Sequence, residues 1–282
     1  MKILRVAAAT IALAAAALTG VSASPASADV RASTPIQYVT NYFWGGSTGA
    51  ITTGTVSCPT GSRVVSSGAS VAGGGGGLTG ISPVLPDYTA VRATGYAQGY
   101  LQVTIGCEPI AALSEVISRT VELPAGTTGF HRGVVYCPAG MRAFGGGGTI
   151  TGPFGLHTGD SGYMVSNSIS ADGTGWTFAA SIGKPIEHLL VTTQCAPFRG
   201  GGYVASNAAP SGFSGGNVYA SCAPGYTALS GGVYLSRSDG NEVVSGRVDY
   251  SITAGSNRWY ASGWSYEAGA DKVVALEQCI IY

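Results

Sequence analysis

Six cysteines divide the chain into three segments with the same internal pattern. The first cysteine of each segment begins a short turn motif, Cys-Pro-Thr-Gly, Cys-Pro-Ala-Gly or Cys-Ala-Pro-Gly, and another glycine follows ten residues after it. These cysteines and glycines are Cys58 with Gly68, Cys137 with Gly147, and Cys222 with Gly232. The second cysteine of each segment ends a strand-like run, and these closing cysteines are Cys107, Cys195 and Cys279. Repetition at a period of roughly eighty residues predicts three copies of one structural unit.

The first 28 residues predict a signal peptide. Lys2 and Arg5 form a short basic region, residues 6–18 are almost entirely apolar, and Ala26-Ser27-Ala28 fits the motif that signal peptidase cleaves. We place the cleavage after Ala28, which leaves residues 29–33 as a short N-terminal tail. The apolar run is shorter than the ~20 residues of a membrane span, so a retained anchor is the lesser alternative. The sequence therefore predicts a secreted, extracellular protein with no membrane span after cleavage.

An even number of cysteines in an exported protein indicates a disulfide framework. Six cysteines allow 15 pairings, but equivalent units should have equivalent bonds. We therefore predict the pairs Cys58–Cys107, Cys137–Cys195 and Cys222–Cys279. The alternative is bridges between neighbouring units, such as Cys107 with Cys137. On the chain-entropy model, each within-unit bond would stabilise the fold by up to ~4 kcal/mol.

Runs rich in Val, Thr, Tyr and Ile lead into the cysteines, and glycine-rich breaks separate these runs. This pattern is typical of β-strands and turns. The units are predicted to span residues 34–110, 115–198 and 202–282, with a Gly/Ser-rich linker at 200–216. The predicted fold is all-β, with three tandem disulfide-closed antiparallel β units arranged like a β-prism with pseudo-threefold symmetry. Three small β-sandwiches in a row are the alternative, but glycines at fixed strand positions allow close backbone approach and favour the prism.

The Cys-Pro-x-Gly opening, the Gly-Gly-Gly stretch and the closing cysteine resemble a repeat of proteins exported by Gram-positive actinobacteria. The alanine-rich signal peptide fits the same source. The resemblance covers most of the mature chain, but its motifs are structural. It implies secretion and repetition, and no activity follows from it.

One segment, Gly159-Asp160-Ser161-Gly162, is similar to the nucleophile segment of chymotrypsin-like serine proteases. That mechanism needs a histidine base and a buried aspartate, and in that family the histidine lies far upstream of the serine. Here no histidine precedes His131, and Tyr163 stands where the family has a glycine. Because Gly, Asp and Ser favour turns, we interpret the segment as a turn and predict no catalytic residue.

The three histidines, His131, His157 and His188, match no metal-ligand spacing. Asp172-Gly173 and Asp239-Gly240 offer oxygen ligands for calcium, but these dipeptides are ordinary hairpin turns. We therefore predict no metal and no cofactor. Paired carboxylates for glycoside hydrolysis have no sequence signature, so an extracellular hydrolase stays an alternative.

The balance of charges limits the class of partner. The full chain has 14 basic and 14 acidic residues, and loss of Lys2 and Arg5 with the signal peptide leaves a net charge near −2. Nucleic-acid binding needs clustered basic residues, so no nucleic-acid partner is predicted. Charged residues are 10% of the chain, against ~25% in an average protein. A low-charge surface rich in Tyr, Gly, Ser and Thr suits neutral polar ligands such as glycans.

The aromatic residues divide into two groups. Tyr88, Trp176 and Trp259 stand 19 or 20 residues before the closing cysteines, and this recurrence predicts core positions. Trp44, Tyr163 and Trp264 do not recur, so the shared fold does not require them. We predict that these three residues contact ligand and that Trp44 and Trp264 are exposed. Tyr and Trp rings stack on sugar rings or partner side chains at a low cost in entropy.

The functional hypothesis that these patterns favour is a secreted, non-enzymatic binding protein for a glycan or cell-envelope polymer. Shallow sites on all three units would make binding multivalent, which raises avidity without a strong single site. The alternatives are a structural or surface-coat protein and an extracellular hydrolase. The sequence predicts no oligomeric state.

Overall fold

The computed structural model describes residues 36–46, 50–73, 76–109, 115–151, 162–197, 202–210, 215–241, 243–255, 257–267 and 271–281. Within residues 115–126 and 184–187 the backbone alone is described. The predicted signal peptide, residues 1–28, and the tail, residues 29–33, lie outside the described part of the chain.

The described residues form sixteen β-strands and contain no helix. The first unit contains β1 Gln37–Trp44, β2 Ile51–Ser57, β3 Ser62–Val71, β4 Gly77–Pro83, β5 Ala90–Tyr96 and β6 Tyr100–Pro109. The second contains β7 Glu115–Tyr136, β8 Arg142–Thr151, β9 Gly162–Ile169 and β10 Gly175–Ala196. The third contains β11 Gly202–Pro210, β12 Gly216–Ser221, β13 Thr227–Ser236, β14 Gly246–Thr253, β15 Arg258–Ser265 and β16 Lys272–Ile280. The prediction of an all-β protein built from three tandem units is confirmed.

The disulfide pairing is the one predicted. Each bond joins the two cysteines of one unit, at sequence separations of 49, 58 and 57 residues. The pairs are Cys58–Cys107, Cys137–Cys195 and Cys222–Cys279. No free cysteine is found in the part of the chain that the structure describes. Three disulfides indicate an oxidising compartment.

Each unit forms two antiparallel three-stranded layers. In the first unit, β6 lies between β1 and β3, and β5 lies between β2 and β4. The third unit repeats this arrangement, with β16 between β11 and β13 and β15 between β12 and β14. In the second unit β7 and β10 are long strands that pair with each other in both layers, and their register shifts between Ile182 and His188.

The units are joined in a ring by three equivalent strand pairings. Strand β4 pairs with β8, β9 pairs with β13, and β14 pairs with β3. Each sheet therefore takes strands from two units: sheet 1 is β1-β6-β3-β14-β15-β12, sheet 2 is β11-β16-β13-β9-β10-β7, and sheet 3 is β7-β10-β8-β4-β5-β2. Residues Ala32–Tyr282 form one compact unit. Because every sheet is shared, the pairings favour the prism-like arrangement over three separate sandwiches.

The repeated glycines lie where the units meet. A Cβ atom on Gly68 would be 2.6 Å from the carbonyl oxygen of Ser251 in the third unit. A Cβ on Gly147 would be 2.2 Å from the carbonyl oxygen of Ile81, and one on Gly232 would be 2.4 Å from the Cα of Ser168. These distances are too short for any side chain, so each ring junction requires a glycine.

One small apolar cluster takes a residue at an equivalent position from each unit. Val65, Phe144 and Leu229 occupy equivalent positions after the opening cysteines and pack together with Ile280. Buried glutamines add bonds between units: the Gln278 side chain donates to the Ala143 carbonyl oxygen at 2.6 Å, and Gln194 donates to the carbonyl of Val64. These contacts between different units fit pseudo-threefold packing.

The predicted equivalence of three core aromatics holds for only two of them. Trp176 lies opposite Val135, and Trp259 lies opposite Ala220. Val135 and Ala220 each stand two residues before the opening cysteine of their unit. The corresponding residue of the first unit is Val91, while Tyr88 lies in the turn before β5. The reason is the space that is available for an indole ring at this position. Each tryptophan ring lies against a glycine, Gly146 or Gly231, and the first unit has Ser67 at that position.

The glycine of each opening turn has the positive φ that its place in the turn predicts. Gly61, Gly140 and Gly225 have φ of 82°, 83° and 87°. No atom lies within 4 Å of a Cβ built on any of them, so backbone conformation alone requires glycine there.

We expect Gly140→Val to lower the free energy of unfolding by about 1–3 kcal/mol, because a β-branched residue is strained at φ near +83°. Gly140→Asn is the matched control, since asparagine tolerates this conformation better. Denaturant titration of the oxidised protein measures both. Equal stability of the valine and asparagine variants would contradict the strain.

Candidate ligand-binding face

Two of the three aromatic residues predicted to contact ligand lie on the same side of sheet 1. Trp44 ends β1 and is 82% exposed, as expected. Trp264 lies in β15, where side chains alternate in and out, so that Ala261 is buried while Tyr260 and Trp264 point outward. Tyr163 lies in β9 of sheet 2, with its ring 5.2 Å from that of Tyr96.

Strands of the first unit form one aromatic cluster on this side. Trp44 pairs with Tyr100 across β1 and β6, and their rings are 6.3 Å apart in an edge-to-face arrangement. The ring of Tyr42 is 5.3 Å from that of Tyr100, also edge to face. Tyr42 is 57% exposed, so the cluster presents ring surface to solvent.

Strands of the third unit form a second cluster. The ring of Tyr260 is 4.7 Å from that of Tyr219 and 5.5 Å from that of Tyr250. The Tyr260 hydroxyl donates to Asn217 Oδ1 at 2.8 Å, which fixes its ring. The guanidinium of Arg258 lies 5.6 Å from the Tyr219 ring, in a cation–π contact. Of the five residues named here, all except Arg258 have an uncharged tyrosine or amide side chain. The second cluster is therefore polar but nearly neutral.

A hydrogen-bonded polar strip runs beside the first cluster and reaches the second through Ser70 of β3. Thr40 and Thr104 hydroxyls are 2.9 Å apart, the Gln102 amide donates to Thr104 at 3.4 Å, and Ser70 donates to Gln102 at 3.3 Å. Ser70 of β3 stands opposite Tyr250 of β14, so the strip borders the second cluster directly. Burial raises the pKa of Tyr250, and the neighbouring Tyr100 and Asp249 raise it further.

We call this surface the aromatic face. It consists of the two clusters, the polar strip and Trp264: Thr40, Tyr42, Trp44, Ser70, Tyr100, Gln102, Thr104, Tyr219, Tyr250, Tyr260 and Trp264. The sequence prediction missed five tyrosines of this set. They are Tyr42, Tyr100, Tyr219, Tyr250 and Tyr260.

An ion pair supports Trp264 at the rim of the aromatic face. Arg247 Nε is 3.1 Å from Asp249 Oδ1, and the guanidinium lies 5.1 Å from the Trp264 ring. Burial raises the pKa of Asp249 to about 6, although the Arg247 charge and the Trp264 indole N–H lower it in part. Gly215 also packs against the indole. Trp264 is therefore half-buried, which corrects the expectation of a fully exposed ring.

Tyr163 lies just beyond this rim. A Cβ on Gly77 would be 2.9 Å from the Tyr163 ring and 3.1 Å from Arg247 Cδ, so the glycine packs against both side chains. The ring belongs to sheet 2 and lies outside the aromatic face as defined. The three predicted ligand residues thus lie in one region of the surface, but only two of them share a sheet.

The aromatic face is not repeated on the other two sheets. Strand register gives the equivalent residues: Glu122 and Pro210 for Trp44, His188 and Lys272 for Tyr100, Gly80 and Ser166 for Tyr250, Arg92 and Thr177 for Tyr260. None of these eight residues is Tyr, Trp or Phe, although Tyr96 of sheet 3 is the register equivalent of Trp264. The pattern gives no support for equal sites on three units and instead favours a single extended site.

Two clefts outside the face have no acidic side chain in their described lining. One of about 330 Å³ lies beside β9 and β13 and includes Arg132, Tyr136 and Asn241. Another of about 210 Å³ includes Pro83, Arg92 and Leu190. Neither contains the paired carboxylates that a glycosidase needs.

The remaining candidates are the protease-like segment, the histidines and a metal site. Gly159, Asp160 and Ser161 of the protease-like segment, and His157, lie outside the described residues. His131 Nε2 is 3.1 Å from the Thr128 carbonyl oxygen. Among the side chains that the structure describes, no three of the types His, Cys, Asp and Glu come together as a metal site.

The two Asp-Gly turns use their carboxylates locally. Asp172 accepts from Ser170 at 2.6 Å, and this bond is the first cause that lowers its pKa. Asp239 accepts from the Asn241 backbone N–H at 3.0 Å, which lowers its pKa. Gly173 and Gly240 follow with positive φ, in agreement with hairpin turns.

Comparison with known proteins gives no indication of function, so the proposed function rests on the aromatic face alone. No protein-family model matches the chain, and no curated protein matches it significantly. The described residues include no helix long and apolar enough to cross a membrane.

Proposed function

We propose that the protein is a secreted, non-enzymatic binding protein for a glycan or cell-envelope polymer, and that the aromatic face is its binding surface. The observation behind this proposal is the combination on one sheet of seven aromatic side chains with an adjoining strip of hydroxyl and amide groups. Aromatic rings stack on the apolar faces of sugar rings, and hydroxyl and amide groups hydrogen-bond to sugar hydroxyls.

The charges on the face favour an uncharged ligand. Arg247 and Asp249 neutralise each other at 3.1 Å, and Arg258 is already engaged with the Tyr219 ring. A strongly anionic or cationic polymer would find few unpaired charges to bind. The proposal also replaces three shallow sites by one, because most of the equivalent positions on the other sheets have no Tyr or Trp ring.

Retention on insoluble polysaccharide tests the proposal. We expect the oxidised protein to bind cellulose, chitin or purified bacterial cell wall, and Trp44→Ala to weaken binding at least tenfold, since a rigid exposed ring dominates a shallow site. The matched control is Tyr136→Ala, which removes a ring that is 61% exposed on another sheet.

The contradicting outcomes are specific. Equal loss of binding in the Trp44 and Tyr136 variants would show that the aromatic face is not the site. No retention on any of the three polymers would contradict glycan binding. Concentration-dependent self-association that Trp44→Ala abolishes would indicate a structural or coat protein instead, and sedimentation velocity measures it.

A further inference from the structure

The aromatic face joins the first and last units of the chain. Strands β1, β6 and β3 come from the first unit, and strands β14, β15 and β12 come from the third. Between β3 and β14 the register contains two residue pairs, Ser70 with Tyr250 and Ala69 with Ser251. This junction closes the ring of units, and we call it the seam. One aromatic cluster lies on each side of the seam.

The two clusters form a stripe that crosses the strands. Every strand of sheet 1 except β3 has an outward aromatic side chain, and β3 contributes Ser70 to the polar strip. Neighbouring strands are about 4.8 Å apart, so the five spacings from β1 to β12 span roughly 24 Å. Strands β6 and β14 are two spacings, roughly 10 Å, apart, so a ligand that contacts both clusters needs at least two sugar rings, and one that covers the whole stripe needs several.

The surface also restricts the shape of the ligand. Sheet 1 is open across its six strands, with rings on a broad surface instead of in an enclosed pocket. A branched or axially substituted glycan would hold its rings away from such a surface. An unbranched chain with all ring substituents equatorial presents flat apolar faces along its whole length, which matches a row of aromatic side chains.

We propose that the ligand is an unbranched, uncharged, β-linked polysaccharide of the cellulose or chitin type that lies across the strands and binds both clusters at once. The inference rests on the proposed function and adds the ligand class and its length. Cellulose and chitin share the equatorial ring geometry that the aromatic face requires. Because the chain contacts both units, it links them across the seam.

Chain length is the direct test of this inference. When one chain occupies both clusters, the second contact becomes intramolecular and affinity increases steeply with length. We expect calorimetric titration with cello- and chito-oligosaccharides, from disaccharide to octasaccharide, to show at least a tenfold gain once the chain spans both clusters. The two sugar series distinguish the glucan source from the N-acetylglucosamine source.

Variants on the two sides of the seam give a matched pair. Trp44→Ala removes an exposed ring of the first cluster, and Tyr219→Ala removes one that is 46% exposed in the second. Each should abolish the gain with length, and the melting temperature of each variant checks that it folds. Tyr136→Ala should keep the gain.

Hydrogen exchange gives an independent readout of the seam. Long chains should slow exchange of the β3 and β14 amides at the seam more than disaccharides do at equal occupancy. Binding of the polymer with no dependence on chain length beyond a disaccharide would overturn this inference and leave the proposed function intact. Tighter binding of a charged or branched glycan than of the unbranched, uncharged chains would overturn it as well. Absence of all glycan binding would instead contradict the proposed function itself.

Discussion

Replacement of Trp176 by alanine is expected to lower the free energy of unfolding by about 3–5 kcal/mol. The side chain is 1% exposed, and its ring lies so close to Gly146 that a Cβ there would be 2.4 Å from the ring. The indole N–H donates to Asn167 Oδ1 at 2.8 Å. Alanine would therefore leave a large cavity and a buried amide without its donor.

Two further variants separate the causes of this loss. Trp176→Phe keeps most of the volume and removes the hydrogen bond to Asn167, so we expect a loss of about 1–3 kcal/mol. Trp44→Ala removes a ring that is 82% exposed and should change stability by less than ~0.5 kcal/mol. Guanidinium titration of the oxidised proteins measures all three. A Trp44 variant that is destabilised as much as the Trp176 variant would contradict the division into core and surface rings.

A second large effect is expected from Glu277, a buried carboxyl in β16. The residue is 1% exposed, and neither carboxylate oxygen accepts a hydrogen bond from the described residues. Burial raises its pKa to about 8 from the ordinary value of 4.5, and the nearby backbone N–H of Trp259 lowers it only in part. At neutral pH the folded protein therefore holds this carboxyl in its neutral form.

The direction of the pH dependence follows from the raised pKa. Below pH 4.5 both folded and unfolded chains hold the proton, and between 4.5 and about 8 only the folded chain holds it. Stability is highest at the acidic end of this window and falls as the pH rises, with a slope approaching about 1.4 kcal/mol per pH unit. Glu277→Gln removes the titrating group, so it should flatten the curve and exceed the wild type at pH 8 by roughly 3–5 kcal/mol.

Urea titrations from pH 5 to pH 8 test this expectation. Asp172→Asn is the control, because that exposed carboxyl has a lowered pKa and is ionised in both states across the whole range. Its curve should run parallel to that of the wild type. Parallel curves for wild type and Glu277→Gln would show that Glu277 is ionised in the folded protein.

Local sequence features predict most of the internal structure of each unit. The cysteine spacing is sufficient to predict the disulfides, because equivalent copies repeat equivalent bonds. The turn motif predicts positive φ at Gly140, since its place after a proline-containing turn depends on neighbouring residues alone. The Gly/Ser-rich composition of 200–216 is misleading, because residues 202–210 form β11 and pair with β16 along its whole length. Pairing with a neighbour outweighed local composition there.

The aromatic face could be predicted only in part. Trp44 and Trp264 stand out because they do not recur, but the tyrosines of the face are single residues in five separate strands. They come together because β3 of the first unit pairs with β14 of the third, across nearly the whole chain. Periodicity within a strand indicates which side chains share a side, and it contains no information about which distant strand lies next to it.

The seam also has a consequence for the order of folding. The disulfides close loops of similar size within each unit, so each unit can oxidise without its neighbours. Strand β3, in contrast, is made early and finds its partner β14 only after most of the chain has been synthesised. Until then β3 has an open edge, and contacts of such long sequence separation form slowly. We therefore expect the ring to close after the units oxidise, and the same closure assembles the aromatic face.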